Sequence, residues 1–433
     1  MFKEITKPMR ALIIPVRDSR NKGDLAILKS EVDILKKDMN YDDVVVSSLY
    51  LEQYRTVEPN LNVQPALIDF WTISPRRYAW VYTLIKLMMP MLWLFQVTLL
   101  PIQLLLARYS RPLPYRPELY YLAAHSNTVF LTGGSYLMDV GSKNDIVSWP
   151  KLISRFLFLV GFLWQIQCLK WIAGAKVISF PQSLGPFCTG LGRVLVKRIV
   201  HATDLFFVRE HISIETAKQL KVEQKCVLVH DIAFHLSTSR VALDRAFARP
   251  VLGVAPRICP LVDTEKYIKA HAALADWWIS EYRGSVLFLP SNELGDGSNS
   301  DDAIVVLKIM DNMKQPDKSD YISISKSEIY KSLLGSVDVL VATRMHPTIL
   351  ATPLGTPFIP IYYEHKQEGL AEQLGVDQYL VDIADVSEEL LVEKVALIYE
   401  QRESVRQQLL EKVSEILLER NEIVEHIRKV IAV

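Results

Sequence analysis

An excess of charge of either sign is the first thing this 433-residue sequence lacks: 49 lysines and arginines stand against 49 aspartates and glutamates. Without a global field, nucleic acid is not drawn to the chain as a whole, so any phosphate site has to be local. Cysteine is scarce as well. Cys168, Cys188, Cys226 and Cys259 lie far apart with no C-x-x-C pair, which suits neither a disulfide scaffold nor a zinc knuckle and fits a reducing cytoplasm. Several catalytic signatures are missing. No G-x-x-x-x-G-K-[ST] loop, G-x-S-x-G elbow or H-E-x-x-H helix occurs, leaving P-loop nucleotide hydrolysis, ordinary serine hydrolysis and zincin activity unsupported. Nor is there an Asp-x-Asp pair to hold a metal-bound nucleotide sugar. The first apolar run, Ala11 to Val16, breaks at Arg17 and Asp18 and is too short for the core of a signal peptide. It reads as a strand.

What is present is alternation. Half of the residues are hydrophobic and 23% are charged, the composition of an ordinary folded protein, and the length suggests two domains. "RALIIPV", "TVFLTGGSYLMDVG", "AKVISFPQSLGPF", "LFFVRE" and "CVLVHDIAF" read as strands, with helical spacing in the segments between them. After the polar stretch "LSTSRVALDRAFARP", which looks like a linker, the pattern restarts with "VLGVAPR", "SVLFLPSN" and "VDVLVATRMHPTILATPLGTPFIPIYYEHK". This alternation predicts an α/β protein of two doubly wound, Rossmann-like domains facing a cleft, with active groups at the carboxyl ends of strands. The expected boundaries are 1–240 for the first domain, with an apolar helical insertion at about 80–110, and 250–390 for the second. A charged helical segment, 391–433, is expected to pack back across both.

Two apolar tracts interrupt the pattern. Leu87 to Ala107 carries no charge, with Lys86, Arg108 and Arg111 at its flanks, and Phe156 to Ile172 is nearly as apolar. A membrane-spanning helix at the first tract would divide the strand-end loops of one sheet between two sides of a bilayer. Two readings stay open: membrane-surface contact through 84–111 and 156–172, with Trp93, Trp164 and Trp171 at the interface, or buried core or oligomer-interface helices. The first makes the protein cytoplasmic and peripheral on the inner face of the membrane.

Candidate site residues cluster in the loops that follow strands. Gly23 and Asp24 stand where a helix begins, so Asp24 can cap orphan N–H groups and Gly23 can let the backbone approach a ligand. Gly133 and Gly134 permit a strained turn, and Asp139 is placed to reach into the cleft. Arg209, Arg257 and Arg344 each end a strand-like run, where a guanidinium can grip a carboxylate or phosphate bidentately. His346 lies two residues beyond Arg344 and is suited to moving a proton near neutral pH. Lys366 follows the next strand and can add a point charge, while Asp231 is either a cleft carboxylate or a cap. The acidic stretch "ELGDGSNSDD" could bind a cation, but a solvated loop capping the next helix explains it better.

In order along the chain, "NKGDLAIL", "LTGGSYLMD", "SFPQSLGPF", "FVREHIS", "HDIAF", "GVAPR" and the block from Asp338 to Lys366 resemble the polysaccharide pyruvyl transferase family, from about residue 10 to 380. The resemblance implies a GT-B-like fold and transfer of the pyruvyl group of phosphoenolpyruvate to sugar hydroxyls, forming a pyruvate ketal in exopolysaccharide or cell-wall polysaccharide synthesis. It implies phosphoenolpyruvate contacts at Arg209, Arg344, Met345, His346 and Lys366. Three departures stand out: "GGS" where the family often has three glycines, Pro347 where a small residue is usual, and the longer apolar insertion. The expected mechanism has His346 as general acid, Arg209 and Arg344 as anion clamp, and Asp139 as base or sugar ligand. Arg257, Gly23, Asp24, Gly133, Gly134 and Asp231 complete the expected binding set. No metal and no cofactor are expected; the partners are phosphoenolpyruvate as donor substrate and a saccharide acceptor, lipid-linked acceptors included. The rivals are a GT-B glycosyltransferase using a nucleotide sugar and a non-catalytic, membrane-associated subunit of a polysaccharide assembly complex.

Overall fold

A computed structural model describes residues 9–16, 18–68, 79–109, 117–139, 149–239, 247–258, 262–295 and 301–432. By packing, these fall into two units. The first draws on Met1–Asp18, Glu31–His230 and Asn421–Val433, and the second on Ser19–Ser30 and Asp231–Arg420. Part of the expected linker, part of "ELGDGSNSDD", Arg17, Arg111 and Cys259 lie outside the described residues.

The first unit is built on strands β1 (Arg10–Val16), β2 (Asp43–Ser48), β3 (Asn62–Pro65), β4 (Thr128–Leu131), β5 (Gly134–Leu137), β6 (Lys176–Leu184), β7 (Leu205–Val208) and β8 (Cys226–Leu228). They form one parallel sheet in the order β3-β2-β1-β4-β6-β7-β8, with β5 beside β6. Runs such as "ALII" and "VVV" are buried almost completely, as parallel strands covered on both faces require. β4 and β5 run along the same neighbour, β6, separated by Thr132 and Gly133. Gly134 resumes the strand at φ +130°, a backbone region that favours glycine. One face of this sheet is covered by the helices Ala79–Tyr109, Pro117–Ala124, Trp149–Cys168 and Gly190–Ala202, whose Leu104, Leu119, Phe162 and Val196 join Leu12, Val129 and Val177 in one core.

The second unit holds β9 (Val251–Ala255), β10 (Ser285–Phe288), β11 (Ser319–Tyr321), β12 (Val339–Ala342), β13 (Phe358–Tyr362) and β14 (Val381–Asp382). Their order, β11-β10-β9-β12-β13-β14, is all parallel. Counted from β9 this is 3-2-1-4-5-6, the doubly wound order whose direction reverses between the first and fourth strands, and ligands of such sheets bind outside the carboxyl ends at that point. Here it lies between β9 and β12. The expected two doubly wound domains are what the chain forms. The final helix, Arg402–Ile431, belongs to the second unit up to Arg420 and to the first from Asn421 onward.

The two apolar tracts form the helices Ala79–Tyr109 and Trp149–Cys168, the latter running on into the turn Leu169–Ala173. Among the described residues, Leu152–Ala173 is long and apolar enough to cross a membrane by length and composition, with 44% of it buried inside the protein.

Candidate functional site

In the second unit the chain leaving each central strand carries a candidate residue to the same end of the sheet. Arg257 follows β9, Arg344 follows β12, and Lys366 follows β13. These ends are stitched together by polar side chains. The Tyr267 hydroxyl accepts from the Arg257 backbone N–H at 3.2 Å and bonds Thr343 Oγ1 at 2.6 Å. Gln367 donates to the carbonyls of Thr343 (2.9 Å) and Ile361 (3.3 Å) and accepts from the Tyr363 N–H (3.1 Å). The strand ends are therefore held in register by buried groups and have little freedom to move separately.

Arg344 sits where β12 turns into the helix Met345–Ala351. Its Nε and Nη2 donate to the two oxygens of Asp302 at 2.6 and 2.8 Å, a bidentate pair in which Asp302 is 1% exposed. Burial opposes the Arg344 charge, but the Asp302 carboxylate outweighs it and raises the guanidinium pKa. Met345 and Pro347 are buried and His346 half-buried. Pro347 falls in the first turn of the helix, where its missing N–H removes no intrahelical bond, so it shapes the turn without breaking it.

Residues 19–30 pack into this same unit. Asn21 bridges to Asn292, the Lys22 N–H donates to Ser291 O (2.9 Å), and Lys22 Nζ pairs with Glu293 Oε1 (2.5 Å). Burial lowers the Lys22 pKa, with Glu293 acting in the opposite direction. Gly23 meets His346 directly: a Cβ on Gly23 would come within 2.2 Å of the imidazole ring atoms. The glycine therefore admits a protein side chain where a ligand was expected. Asp24 also departs from expectation. The helix starts at Lys22, and it is Asn21 Oδ1 that accepts from the Gly23 and Asp24 N–H groups, at 3.0 and 3.4 Å. Asp24, inside the first turn, is too late to cap it.

The cations of this region differ in their partners. Arg344 has Asp302, Lys22 has Glu293, and Lys366 has Glu364 at 2.5 Å. Arg257 instead donates to the Tyr363 hydroxyl and lies over the Tyr363 ring, 4.6 Å from its centroid. Its Nε is buried without a hydrogen-bond partner among the described residues.

In the first unit, Arg209 leaves β7 and is buried. It donates to Ser183 Oγ (2.9 Å) and to Ser135 Oγ, these two hydroxyls lie 3.1 Å apart, and Glu210 Oε2 is 3.8 Å from Nε. Ser135 is the third residue of the "GGS" turn, so the departure from three glycines supplies a side chain to the arginine. The N–H of Gly133 is taken by buried Glu31 (2.6 Å), which also accepts from Thr132 Oγ1 (2.9 Å). Asp139 does not reach outward. It is 1% exposed, and its oxygens accept from the N–H groups of Cys188 (2.8 Å) and Thr189 (2.9 Å) and from Thr189 Oγ1 (2.6 Å). These bonds anchor the start of the Gly190–Ala202 helix, which corrects the expectation of a base or sugar ligand. Asp231 is a cap: its Oδ1 accepts from Ala233 N–H at 2.9 Å. Among the described residues, no cluster of three or more His, Cys, Asp or Glu side chains is placed to hold a metal.

Comparison with known proteins settles which chemistry these strand ends are to be read against. The family model for polysaccharide pyruvyl transferase matches residues 21–365. This chain belongs to that family. It is 24% identical to the amylovoran biosynthesis protein AmsJ of Erwinia amylovora over 262 residues, 56% of this chain and 63% of AmsJ; the match thus spans less than two thirds of that relative. Solved structures with the same fold include HepE of Anabaena in complex with UDP-glucose (TM-score 0.55, 12% identity, 97% of this chain and 100% of that one). A UDP-GlcNAc 2-epimerase from Neisseria meningitidis bound to UDP-GlcNAc matches similarly (TM-score 0.54, 12% identity, 97% and 100%). The likeness is one of fold: two Rossmann-like domains of the GT-B type.

Against the pyruvyl transferase family, the residues that motif reading overlooked are the partners of the arginines. Asp302 lies in a stretch read as a solvated loop, yet both Asp301 and Asp302 are buried. Asp301 caps the helix Asp302–Asp311 through the Ala303 N–H (3.1 Å). One signal was available: a helix start needs one capping carboxylate, so the second of two adjacent aspartates is surplus and open to another task. Glu293, Glu31 and Gln367 carry no comparable mark in the sequence.

Proposed function

We propose that this protein transfers the pyruvyl group of phosphoenolpyruvate to hydroxyls of a saccharide, closing a pyruvate ketal, in the synthesis of an extracellular or cell-wall polysaccharide. Family membership and the relative named for amylovoran biosynthesis support the general activity. The donor and the ketal are what the resemblance to that family implies, and strand-end cations suit an anionic donor. The observation that carries this reading is Arg257, a strand-end guanidinium beside the switch point of the second sheet, with a neutral partner and, among the described residues, an unfilled Nε–H. A cation so placed has its charge to spend on a carboxylate or phosphate. Arg344, locked by Asp302, serves to fix the turn that carries His346.

In this mechanism His346, as imidazolium, protonates the methylene carbon of phosphoenolpyruvate. The double-bond electrons form the new C–H bond, and the adjacent carbon becomes cationic. One sugar hydroxyl adds to that carbon and loses its proton. A second hydroxyl then displaces phosphate, which leaves with the C–O bond electrons, and its own proton goes to the phosphate or solvent. Basic groups around the donor stabilise the departing dianion.

The test uses purified full-length protein with phosphoenolpyruvate and, separately, nucleotide sugars, following phosphate release and mass change of a saccharide acceptor. His346→Ala is expected to lower turnover by about 100-fold to 10,000-fold, the span for a positioned general acid, with an unchanged unfolding midpoint. Arg257→Met is expected to raise KM for phosphoenolpyruvate more than it lowers kcat. Transfer from a nucleotide sugar with no phosphate release from phosphoenolpyruvate would overturn the proposal.

A further inference from the structure

The helical layer over the first sheet has an outer surface unlike the rest of the chain. From Met91 onward, the Ala79–Tyr109 helix buries Leu100, Gln103, Leu104 and Ala107 and turns Met91 (73% exposed), Leu94, Phe95 (61%), Ile102, Leu105 and Tyr109 (78%) outward. The spacing of both sets is helical, so an apolar flank faces out as well as in. The neighbouring Trp149–Cys168 helix packs against it, with Trp164 Nε1 donating to Val97 O at 2.8 Å, and the turn that follows exposes Trp171 (70%). On the other side of that helix, Gly190–Ala202 exposes Leu191 and Val194 with Arg193 and Arg198 among them.

Charge on these helices is of one sign. Ala79–Tyr109, Trp149–Ala173 and Gly190–Ala202 together carry eight basic residues, Lys86, Arg108, Lys151, Arg155, Lys170, Arg193, Lys197 and Arg198, and no acidic one. At the chain's average, segments of this combined length would hold about eight acidic residues. The chain is neutral overall, so the compensating negative charge lies elsewhere. Arg108 Nη1 donates to Ala173 O at 2.7 Å, which places exposed Tyr109 and Trp171 at the same end of the helix pair.

We propose that this face docks on an anionic lipid surface, with the apolar flank of Ala79–Tyr109 in the acyl boundary and the basic residues on headgroup phosphates. Exposed apolar side chains, aromatic rings at one rim and basic residues without acidic ones are the combination that an anionic interface rewards. A second copy of the chain is a poor occupant, because two such faces would set the like charges of these helices against each other. Surface docking also leaves Leu152–Ala173 where it packs, half in the core of the first unit, whereas a transmembrane span would strip Phe162 and Ile166 from that core.

The experiment is co-sedimentation of the full chain with phosphatidylcholine vesicles and with vesicles containing phosphatidylserine, which needs no phosphoenolpyruvate and stands apart from the transfer assay. Binding is expected to rise at least about tenfold with the anionic lipid and to weaken in high salt. Phe95→Glu with Ile102→Glu, both at exposed positions, is expected to lose at least about tenfold in binding at an unchanged unfolding midpoint. Arg193→Glu with Arg198→Glu is expected to weaken binding to anionic vesicles alone. Equal binding by the Phe95/Ile102 variant and the parent overturns the proposal. So does absence of parent binding together with a parent dimer that this variant makes monomeric, which would assign the face to a second copy. Retention in the membrane after an alkaline carbonate wash would replace docking by insertion.

Discussion

Arg344 in the second unit and Arg209 in the first both end a buried strand, yet they are held in opposite ways. Arg344 is gripped at two points by the carboxylate of Asp302, while Arg209 is hydrogen-bonded by the hydroxyls of Ser183 and Ser135 with the Glu210 carboxylate farther off, at 3.8 Å. A carboxylate cancels the guanidinium charge it orients, whereas a hydroxyl orients it and leaves the charge in place. A strand-end arginine is therefore not an anion site by position alone. What it can offer a ligand depends on whether its fixing partner is charged. By that criterion Arg257, seated on Tyr363, is a stronger candidate for an anionic group than Arg344, whose charge is matched by Asp302.

Removing the charged partner should have the largest effect. Asp302→Ala strands a buried guanidinium and is expected to cost about 3–5 kcal/mol, read as a lowered urea midpoint; a loss below about 1 kcal/mol would mean that the pair adds little. Gly23→Ala comes next. Its methyl group must displace the His346 ring, so kcat should fall about 100-fold, the scale of an ångström-sized misplacement of a catalytic group, with the sheet intact by circular dichroism. Acidification then separates the units. Burial lowers His235, where Arg420 adds to the effect, to about 4, and burial lowers His271 to about 4 as well; both lie in the second unit. Each is neutral in the fold, so its contribution is complete above the unfolded value near 6.5 and is lost as pH falls toward 4. Between pH 7 and pH 5 that is about 2 kcal/mol per histidine, and hydrogen exchange in the Thr264–Tyr282 helix should rise accordingly; protection unchanged at pH 5 would contradict it. The smallest effect belongs to the hydroxyl-held arginine: Ser183→Ala should cost about 1 kcal/mol and shift KM for phosphoenolpyruvate without changing kcat.

The sheets were legible because buried parallel strands are short apolar runs bounded by turns, and "RALIIPV" or "VLVAT" can be little else. β2, an apolar run of the same kind, was passed over, and β3, β11 and β14 were not legible, since two to four residues carry no period. Arg257, Arg344 and His346 announced themselves as polar groups at the ends of such runs, and β9 and β12 carry Arg257 and Arg344 to one place. Long-range choices stayed hidden: no local pattern says that Asp302 meets Arg344, that Glu31 meets Gly133, or that Asp139 turns inward to hold Thr189. Spacing within one segment reports that segment's faces, and partner selection between segments is decided by packing.

Residues 19–30 precede Glu31–His230 of the first unit in the chain, but they fold with the second unit, and Gly23 abuts a histidine 323 positions later. At 5–20 residues per second, synthesis of the intervening chain takes roughly 15–65 s. During that interval the start of the Lys22–Asp33 helix has no partner to close upon. The approach of Gly23 to His346 thus waits for the chain between them to be made, and a polypeptide beginning at Asp231 would lack the glycine against which His346 rests.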